Sequence, residues 1–231
     1  WDASGEPVTT HGFLRDRLVG LDNYAFAREL AKLNLTIADA WHRNSWKVDE
    51  GDMFAPGVLR RYAKDAHILL SNPPFEPFKK VGAERYLDTD EPVKAETQGV
   101  EMLKRTLPHL TAGSVFGVVM PVGVLHDKEA KTVRKELLKD FDLSEISVFA
   151  DNLFEHGDHE AAVLMGRKKR SRSKSIILMY RRVRESGMAA FKERLAFSWE
   201  REVPQSRFMT SGAADLRLPE DLRRWTVRAA A

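Results

Sequence analysis

The stretch Ala66-His67-Ile68-Leu69-Leu70-Ser71-Asn72-Pro73-Pro74-Phe75 decides how this chain is interpreted. Its first five residues are mainly apolar and predict a short β-strand. The strand stops at a turn whose two prolines lack N–H donors and hold their φ angles fixed. The turn therefore presents the carboxamide of Asn72, the backbone carbonyl of Pro73 and the aromatic face of Phe75 together. Such a set suits a planar substrate that carries an amino group, and we interpret the turn as an active site.

The chemistry of an aromatic amine explains these residue types. The lone pair of the exocyclic amine of adenine is delocalised into the ring, so this nitrogen is a poor nucleophile. If the Asn72 side-chain oxygen and the Pro73 carbonyl each accept one N–H, they favour a tetrahedral nitrogen whose lone pair is available. Phe75 would stack on the base. The simpler alternative is a strand that ends in a proline-rich turn whose Asn caps a neighbouring helix.

Two carboxylates upstream are candidate cofactor ligands. Residues 18–22 predict a short buried strand, and residues 24–35 predict a helix with one apolar face. Asp22 then stands at the carboxyl end of a strand, where nucleotide-binding α/β sheets accept ribose hydroxyls. Asp52 follows thirty residues later, about one further helix-and-strand unit, and could accept from the amino group of a cofactor adenine. The alternative for Asp52 is a turn or a helix cap.

In this order, Gly20-x-Asp22, Gly51-Asp52 and Asn72-Pro73-Pro74-Phe75 resemble a known family. It is the family of S-adenosylmethionine-dependent adenine-N6 DNA methyltransferases. The closest resemblance is to the modification subunits of type I restriction systems and to related fused restriction-modification or phage-defence enzymes. The resemblance extends over residues 18–170. It includes a helix at 97–110, a strand at 113–121, a helix at 127–140 and a closing strand pair at 146–149 and 159–165.

The resemblance implies a fold and an activity. The expected fold is α/β, with a doubly wound, mostly parallel sheet of the seven-stranded methyltransferase type that includes an antiparallel strand. The expected enzyme transfers a methyl group from S-adenosyl-L-methionine to N6 of an adenine that is flipped out of double-stranded DNA. Expected partners are DNA and specificity and restriction subunits or fused domains. The resemblance assigns catalysis to Asn72, Pro73, Pro74 and Phe75, and cofactor binding to Asp22 and Asp52.

One departure from the family concerns its Gly-rich cofactor loop of the style Asp-Pro-x-x-Gly-x-Gly. No Gly-x-Gly occurs in this chain, and only about seventeen residues precede the predicted strand at 18–22. We therefore expect that the first strand is missing and that the chain is a fragment. Residues 1–198 would be a partial catalytic core. Residues 199–231, with two prolines and a glycine, would be a connector toward a further domain.

Two other classes of function remain open. Asn-Pro-Pro turns also serve methyltransferases that act on RNA bases or on glutamine side chains of proteins. A non-catalytic nucleic-acid-binding or assembly module could retain the fold without binding cofactor, and the missing Gly-rich loop favours that interpretation. An Asp-Pro-x-x-Gly-x-Gly segment upstream would instead make the parent protein an enzyme.

Composition sets outer bounds on the chain. Its 231 residues, 43% of them hydrophobic, predict one globular domain, with or without an appendage. The absence of Cys excludes disulfides and thiolate metal sites, and it argues against cytosine-C5 chemistry, which needs a thiolate.

A polar turn explains the cluster His156, Asp158, His159 and Glu160, so no metal site is predicted. No run of eighteen apolar residues and no signal peptide occur, so a cytoplasmic protein without membrane contact is expected.

The charge permits nucleic-acid binding without requiring it. The net charge is +3 and the isoelectric point is about 9.1. Residues 167–174 are basic and could contact phosphates, or they could form a solvated hairpin loop.

Residues 76–98 predict a long loop. This is either a mobile surface loop or a lid whose Lys79, Lys80 or Arg85 contacts the DNA backbone.

Overall fold

The computed structural model describes residues 7–39, 45–78, 86, 89–94, 97–151, 160–171, 176–209, 212 and 214–219. The chain forms two compact units. The first unit contains residues 1–59 and 89–91, and the second contains residues 60–88 and 92–231. Within the described residues, no helix is both long enough and apolar enough to cross a membrane.

The first unit is built around two parallel strands. Helix α1 (Pro7–Arg17) precedes strand β1 (Val19–Asp22), helix α2 (Ala25–Ala38) follows it, and strand β2 (Lys47–Glu50) comes next. Val19 pairs with Lys47 and Asp22 pairs with Glu50. A helical crossover is the usual connection between parallel strands, because a tight hairpin can join only antiparallel ones.

The predicted burial of the strand at 18–22 is wrong, and the predicted apolar face of the helix that follows it is exposed. Val19 is 46% exposed, helix α2 has no buried residue, and Phe26 on its apolar face is 69% exposed. An apolar helix face needs a second layer against which to pack. The described sheet of this unit has only two strands, so it covers little of that face.

The second unit contains a six-stranded sheet. Its order is β3-β4-β6-β5-β7-β8, with β3 and β8 at the edges. The strands are β3 (Ile68–Ser71), β4 (Val115–Pro121), β5 (Phe141–Phe149), β6 (Ala161–Lys168), β7 (Ile177–Val183) and β8 (Trp199–Pro204). Strands β3, β4, β5 and β7 run in one direction, and β6 and β8 run in the other. The predicted α/β class with a mostly parallel sheet is therefore confirmed, with one antiparallel strand more than expected.

Helices surround this sheet and complete the core. In the described part of the chain they are α3 (Val58–Lys64), which begins in the first unit, α4 (Gln98–Thr106), α5 (Lys131–Asp140), α6 (Met188–Arg194) and α7 (Ser206–Met209). Short 3-10 segments follow α4 and β4 at Leu107–His109 and Val122–Leu125. Alternate side chains of β4 are buried, because successive residues of a strand point to opposite faces. Each large apolar side chain buried in this way contributes about 1.5–3 kcal/mol to folding.

Residues that the sequence assigned to a connector take part in this core. Strand β8 pairs antiparallel with β7 along its whole length. Gln205 is 4% exposed, and its amide donates to the Leu138 and Phe141 carbonyls at 3.1 and 2.8 Å. Leu216 and Leu218 are fully buried. The sequence obscured this role because an edge strand carries charged side chains, which here are Glu200, Arg201 and Glu202.

Candidate active site

The Asn-Pro-Pro-Phe turn begins where the sequence predicted, directly after the last residue of β3. Pro73 is buried, whereas Asn72 and Pro74 are exposed and Phe75 is half-buried. The turn is therefore anchored through one proline and presents the carboxamide to solvent. The Asn72 side chain is therefore accessible to an incoming molecule.

The far side of the turn is fastened to the start of helix α4. Pro77 forms an isolated antiparallel bridge with Thr97, and the Gln98 Nε2 atom donates to the Glu76 carbonyl at 3.3 Å. Phe78 is 2% exposed, and its ring meets that of Tyr86 edge to face with centroids 5.8 Å apart. Both ends of the turn thus contact buried parts of the second unit.

Strand β4 and helix α4 close around the same turn. Strands β3 and β4 are parallel, with Ser71 beside Val118, so both strands leave the sheet at one edge. A Cβ atom placed on Gly99 would lie 2.8 Å from Met120 Cε and 3.4 Å from Pro73 Cγ. The absence of a side chain at Gly99 therefore lets helix α4 start in close contact with the proline of the turn and the end of β4.

A glutamate from a distant segment supports the start of helix α4. Glu129 Oε1 accepts the backbone N–H of Thr97 at 2.9 Å and faces the Thr97 hydroxyl at 3.3 Å. Sequence reasoning missed this contact, since Glu129 lies in a short segment before α5. A Thr at a helix start is a recognisable N-cap signal, but nothing local pairs it with a carboxylate 32 residues away.

The two candidate cofactor ligands lie in the first unit, at the ends of neighbouring parallel strands. Asp22 is the last residue of β1, and Asp52 follows the end of β2 by two residues. Each carboxylate accepts a backbone N–H two residues further on, that of Tyr24 at 2.7 Å and that of Phe54 at 2.9 Å. Asp52 therefore stabilises a turn, which is the alternative role that the sequence left open for it. An ionised carboxylate has about four acceptor positions, so the acceptance of one backbone N–H does not by itself exclude a ligand.

The six predicted site residues thus fall into two groups. Asn72, Pro73, Pro74 and Phe75 stand together in the second unit, and Asp22 and Asp52 stand at one sheet edge in the first unit. Their roles remain predictions.

In the part of the chain that the structure describes, no three His, Cys, Asp or Glu residues are grouped as a metal site. His156, Asp158 and His159 lie outside that part, as do Lys79, Lys80 and Arg85 of the predicted lid.

Two lysines of the basic stretch cap helices. Lys168 Nζ donates to the carbonyls of Leu107 and Pro108 at 2.9 and 2.8 Å. Lys169 Nζ donates to the carbonyls of Leu138 and Lys139 at 3.2 and 2.8 Å. These carbonyls end helical segments, where cations are favoured by the helix dipole. Both ammonium groups therefore have a structural use that does not involve phosphate.

A charged cluster follows the 3-10 segment after β4. Arg134 is 1% exposed and donates to four carbonyls, including that of Ala214 at 2.8 Å. Burial lowers the pKa of His126, and the charge of Arg217 lowers it further. Burial alone would raise the pKa of Asp215, but hydrogen bonds from the side chain and backbone of Arg217 bring it below its ordinary value.

An open apolar groove is lined by residues of the larger sheet. Ile68, Leu70, Gly117, Met165 and Ile177 are among the residues that line it. Ile68 and Leu70 are 66% and 78% exposed. None of the four residues of the Asn-Pro-Pro-Phe turn lines this groove, so the candidate site is defined by the turn and not by a cavity.

Solved structures show which class of fold this is. The chain is similar to a structure of a type I R-M system, with 15% identity and a TM-score of 0.64 over 87% of this chain and 46% of that one. It is also similar to a modification subunit of a putative type I restriction enzyme from Vibrio vulnificus, with 18% identity and a TM-score of 0.58 over 85% and 45%. A third structure is the DrdV–DNA complex, with 12% identity and a TM-score of 0.63 over 91% and 25%. At these identities the likeness shows the fold alone.

The chain belongs to the N-6 DNA methylase family, whose pattern matches residues 9–201. The family resemblance inferred from the motifs is therefore confirmed. No curated protein matches the chain. The chain spans less than half the length of the first two solved structures that it resembles.

Proposed function

We propose that this chain is the methyl-transferring part of a DNA methyltransferase that modifies N6 of a flipped adenine within a restriction-modification or phage-defence system. The observation that carries the proposal is the turn after β3. Its Asn72 is exposed and its Pro73 is buried, at the carboxyl edge of parallel strands of a chain in the N-6 DNA methylase family. Ligands of open α/β sheets bind at such edges.

The turn provides acceptors and an aromatic surface for the target base. The Asn72 oxygen and the Pro73 carbonyl each accept one N–H of the adenine amine, which draws the nitrogen lone pair out of conjugation with the ring. The half-buried Phe75 stacks on the base. Because the turn is anchored on both sides, it orients the amine rather than reacting with it, and orientation is the main source of its catalytic effect.

Asp22 and Asp52 suit the adenosine part of the cofactor. Both carboxylates stand at carboxyl ends of neighbouring parallel strands, where they can accept from ribose hydroxyls and from the adenine amino group. S-adenosyl-L-methionine, when bound, supplies an activated methyl group. The residues of this chain contribute binding and orientation to the transfer.

Double-stranded DNA and further subunits are the proposed partners. One structure of similar fold is a complex of DrdV with DNA, and another belongs to a study of complex assembly in a type I R-M system. We expect the same kinds of partner here. Flipping the target adenine costs a few kcal/mol, which the contacts with DNA must offset.

Label transfer with several substrates tests this function. The intact protein is incubated with tritiated S-adenosylmethionine and, in parallel, with unmethylated double-stranded DNA, RNA or a mixture of proteins. Digestion of the DNA should yield labelled N6-methyladenine. Label that enters only RNA or protein glutamine would assign the site to another methyltransferase class. If no substrate is labelled and calorimetry detects no cofactor binding, the chain is a non-catalytic module.

A further inference from the structure

The turn that carries Asn72 is held in place by the first residues of helix α4. Thr97 bridges to Pro77, and the next residue, Gln98, donates to the Glu76 carbonyl at 3.3 Å. Gly99 then lies against Pro73, with 3.4 Å between its Cβ position and Pro73 Cγ. The N-cap residue and the first two residues of α4 therefore contact the turn at both of its ends. A movement of the helix start would be transmitted to the Pro73 carbonyl.

The start of helix α4 is in turn fixed by Glu129. Thr97 is the N-cap residue of α4, but its side chain makes no capping hydrogen bond to the helix. Its hydroxyl instead faces both carboxylate oxygens of Glu129, at 3.3 and 3.4 Å, and its backbone N–H donates to Oε1 at 2.9 Å. A negative charge at this end of a helix is also favoured by the helix dipole.

We propose that Glu129 is a positioning residue for the acceptor pair formed by Asn72 and the Pro73 carbonyl. It acts through Thr97 and touches neither the base nor the cofactor. The proposal rests on the function proposed above. Its physical basis is that methyl transfer depends on the direction of the amine lone pair, and a misplacement of about 1 Å can reduce a rate about 100-fold.

Substitutions at Glu129 and Thr97 separate positioning from binding. Glu129→Ala should reduce the single-turnover rate of tritium transfer to unmethylated DNA about 10- to 100-fold. The dissociation constants for S-adenosylmethionine and for DNA should stay unchanged. Glu129→Gln should restore most of the rate, because an amide oxygen still accepts the Thr97 N–H. Thr97→Val removes only the hydroxyl contact and should give an intermediate rate.

Thr106→Val is the matched control at the other end of the same helix. The Thr106 hydroxyl is buried and donates to the Met102 carbonyl at 2.8 Å. This variant should lose stability without losing transfer rate. Should Glu129→Ala fail to fold, Glu129→Gln and Thr97→Val carry the same comparison against Thr106→Val.

Two results would overturn the positioning role. One is a Glu129→Ala or Thr97→Val variant that transfers label as fast as Thr106→Val. The other is a loss of rate that is matched by a loss of cofactor or DNA affinity. Asn72→Ala keeps this test separate from the proposed function. If Asn72→Ala abolishes transfer while the Glu129 variants do not reduce it, only the positioning role fails; if Asn72→Ala transfers normally, the proposed function itself fails.

Discussion

Gly99 and Pro73 are in contact: a Cβ atom on Gly99 would lie 3.4 Å from Cγ of Pro73 and 2.8 Å from Cε of Met120. The start of helix α4 can thus lie close to the Asn-Pro-Pro-Phe turn because Gly99 has no side chain. The contact joins two segments that are 26 residues apart in the sequence (99 minus 73). It suggests that the size of the side chain at position 99 controls the position of the Pro73 carbonyl.

Enlarging Gly99 should therefore reduce methyl transfer in steps. In Gly99→Ala the flexible end of Met120 can move aside, so the rate should change little. In Gly99→Val the side chain has no such space and displaces Pro73, so the rate should fall about 10- to 100-fold. Single-turnover label transfer measures both variants. Gly12→Val is the control, since no described atom outside its own stretch of helix lies within 4 Å of a Cβ at Gly12; equal rates for Gly99→Val and this control would contradict the contact's importance.

Neutralising the carboxylates at the ends of β1 and β2 should weaken cofactor binding. Asp22→Asn and Asp52→Asn each keep an oxygen that accepts the backbone N–H two residues on, so the turns persist. Each loses a charge-assisted hydrogen bond to the cofactor, worth about 1.5–3 kcal/mol. Calorimetric titration with S-adenosylmethionine of the intact protein measures the change. Glu29→Gln removes an exposed charge from the same unit and is the control; affinities equal to this control would refute the assigned roles.

Gln205 should be important for stability although it lies in the range assigned to a connector. Its Oε1 accepts the Leu143 backbone N–H at 2.8 Å, and its Nε2 donates to the carbonyls of Leu138 and Phe141. Gln205→Leu leaves these buried groups without partners, and one unsatisfied group costs about 1–3 kcal/mol. Urea unfolding should show this loss, whereas the exposed Glu202→Gln should not. Equal midpoints for both variants would mean that residues after 204 do not stabilise the core.

His126 should make stability depend on pH near neutrality. Burial and Arg217 lower its pKa, with Arg134 acting in the same direction and Asp127 and Asp215 opposing. Between the lowered pKa and the ordinary value of 6.5, the unfolded chain binds more protons than the folded one. The free energy of unfolding should therefore fall as the pH decreases from about 6.5 through the folded pKa of His126.

His126→Gln provides the comparison for that pH dependence. Denaturant unfolding is measured at several pH values between neutrality and mild acid for both proteins. The difference in unfolding free energy between them should vary with pH only in the window of His126. Glu136, whose pKa is raised mainly by burial, contributes equally to both and cancels. A difference that is constant with pH would contradict the lowered pKa of His126.

The sequence predicted the strand and turn at Asn72 because the signal is local. An apolar run followed by Asn-Pro-Pro permits few backbone conformations, and β3 ends within one residue of the predicted boundary. Strand β4 and the helix before it lie where the family resemblance placed a strand and a helix. A local apolar pattern also placed Asp22 at a strand end, and spacing alone placed Asp52 near the end of the next strand.

Other features depend on partners that the sequence does not identify. The apolar face of α2 resembled a core face, yet Phe26 and Leu33 are exposed, because periodicity shows that a face exists and not what covers it. The link between Glu129 and Thr97 is a tertiary contact between two polar side chains without a motif. Strand β8 was missed because its charged residues match an edge position and not an interior one.

The central claim is that the Asn72 carboxamide activates the amine of adenine, and one substitution tests it. The intact protein and its Asn72→Ala variant are compared for the formation of labelled N6-methyladenine in unmethylated DNA, with cofactor affinity measured by calorimetry on the same samples. Methylation should be abolished while cofactor affinity is retained, because the proposed role of Asn72 is to contact the base and not the cofactor. Methylation of adenine at the unaltered rate by Asn72→Ala would contradict it.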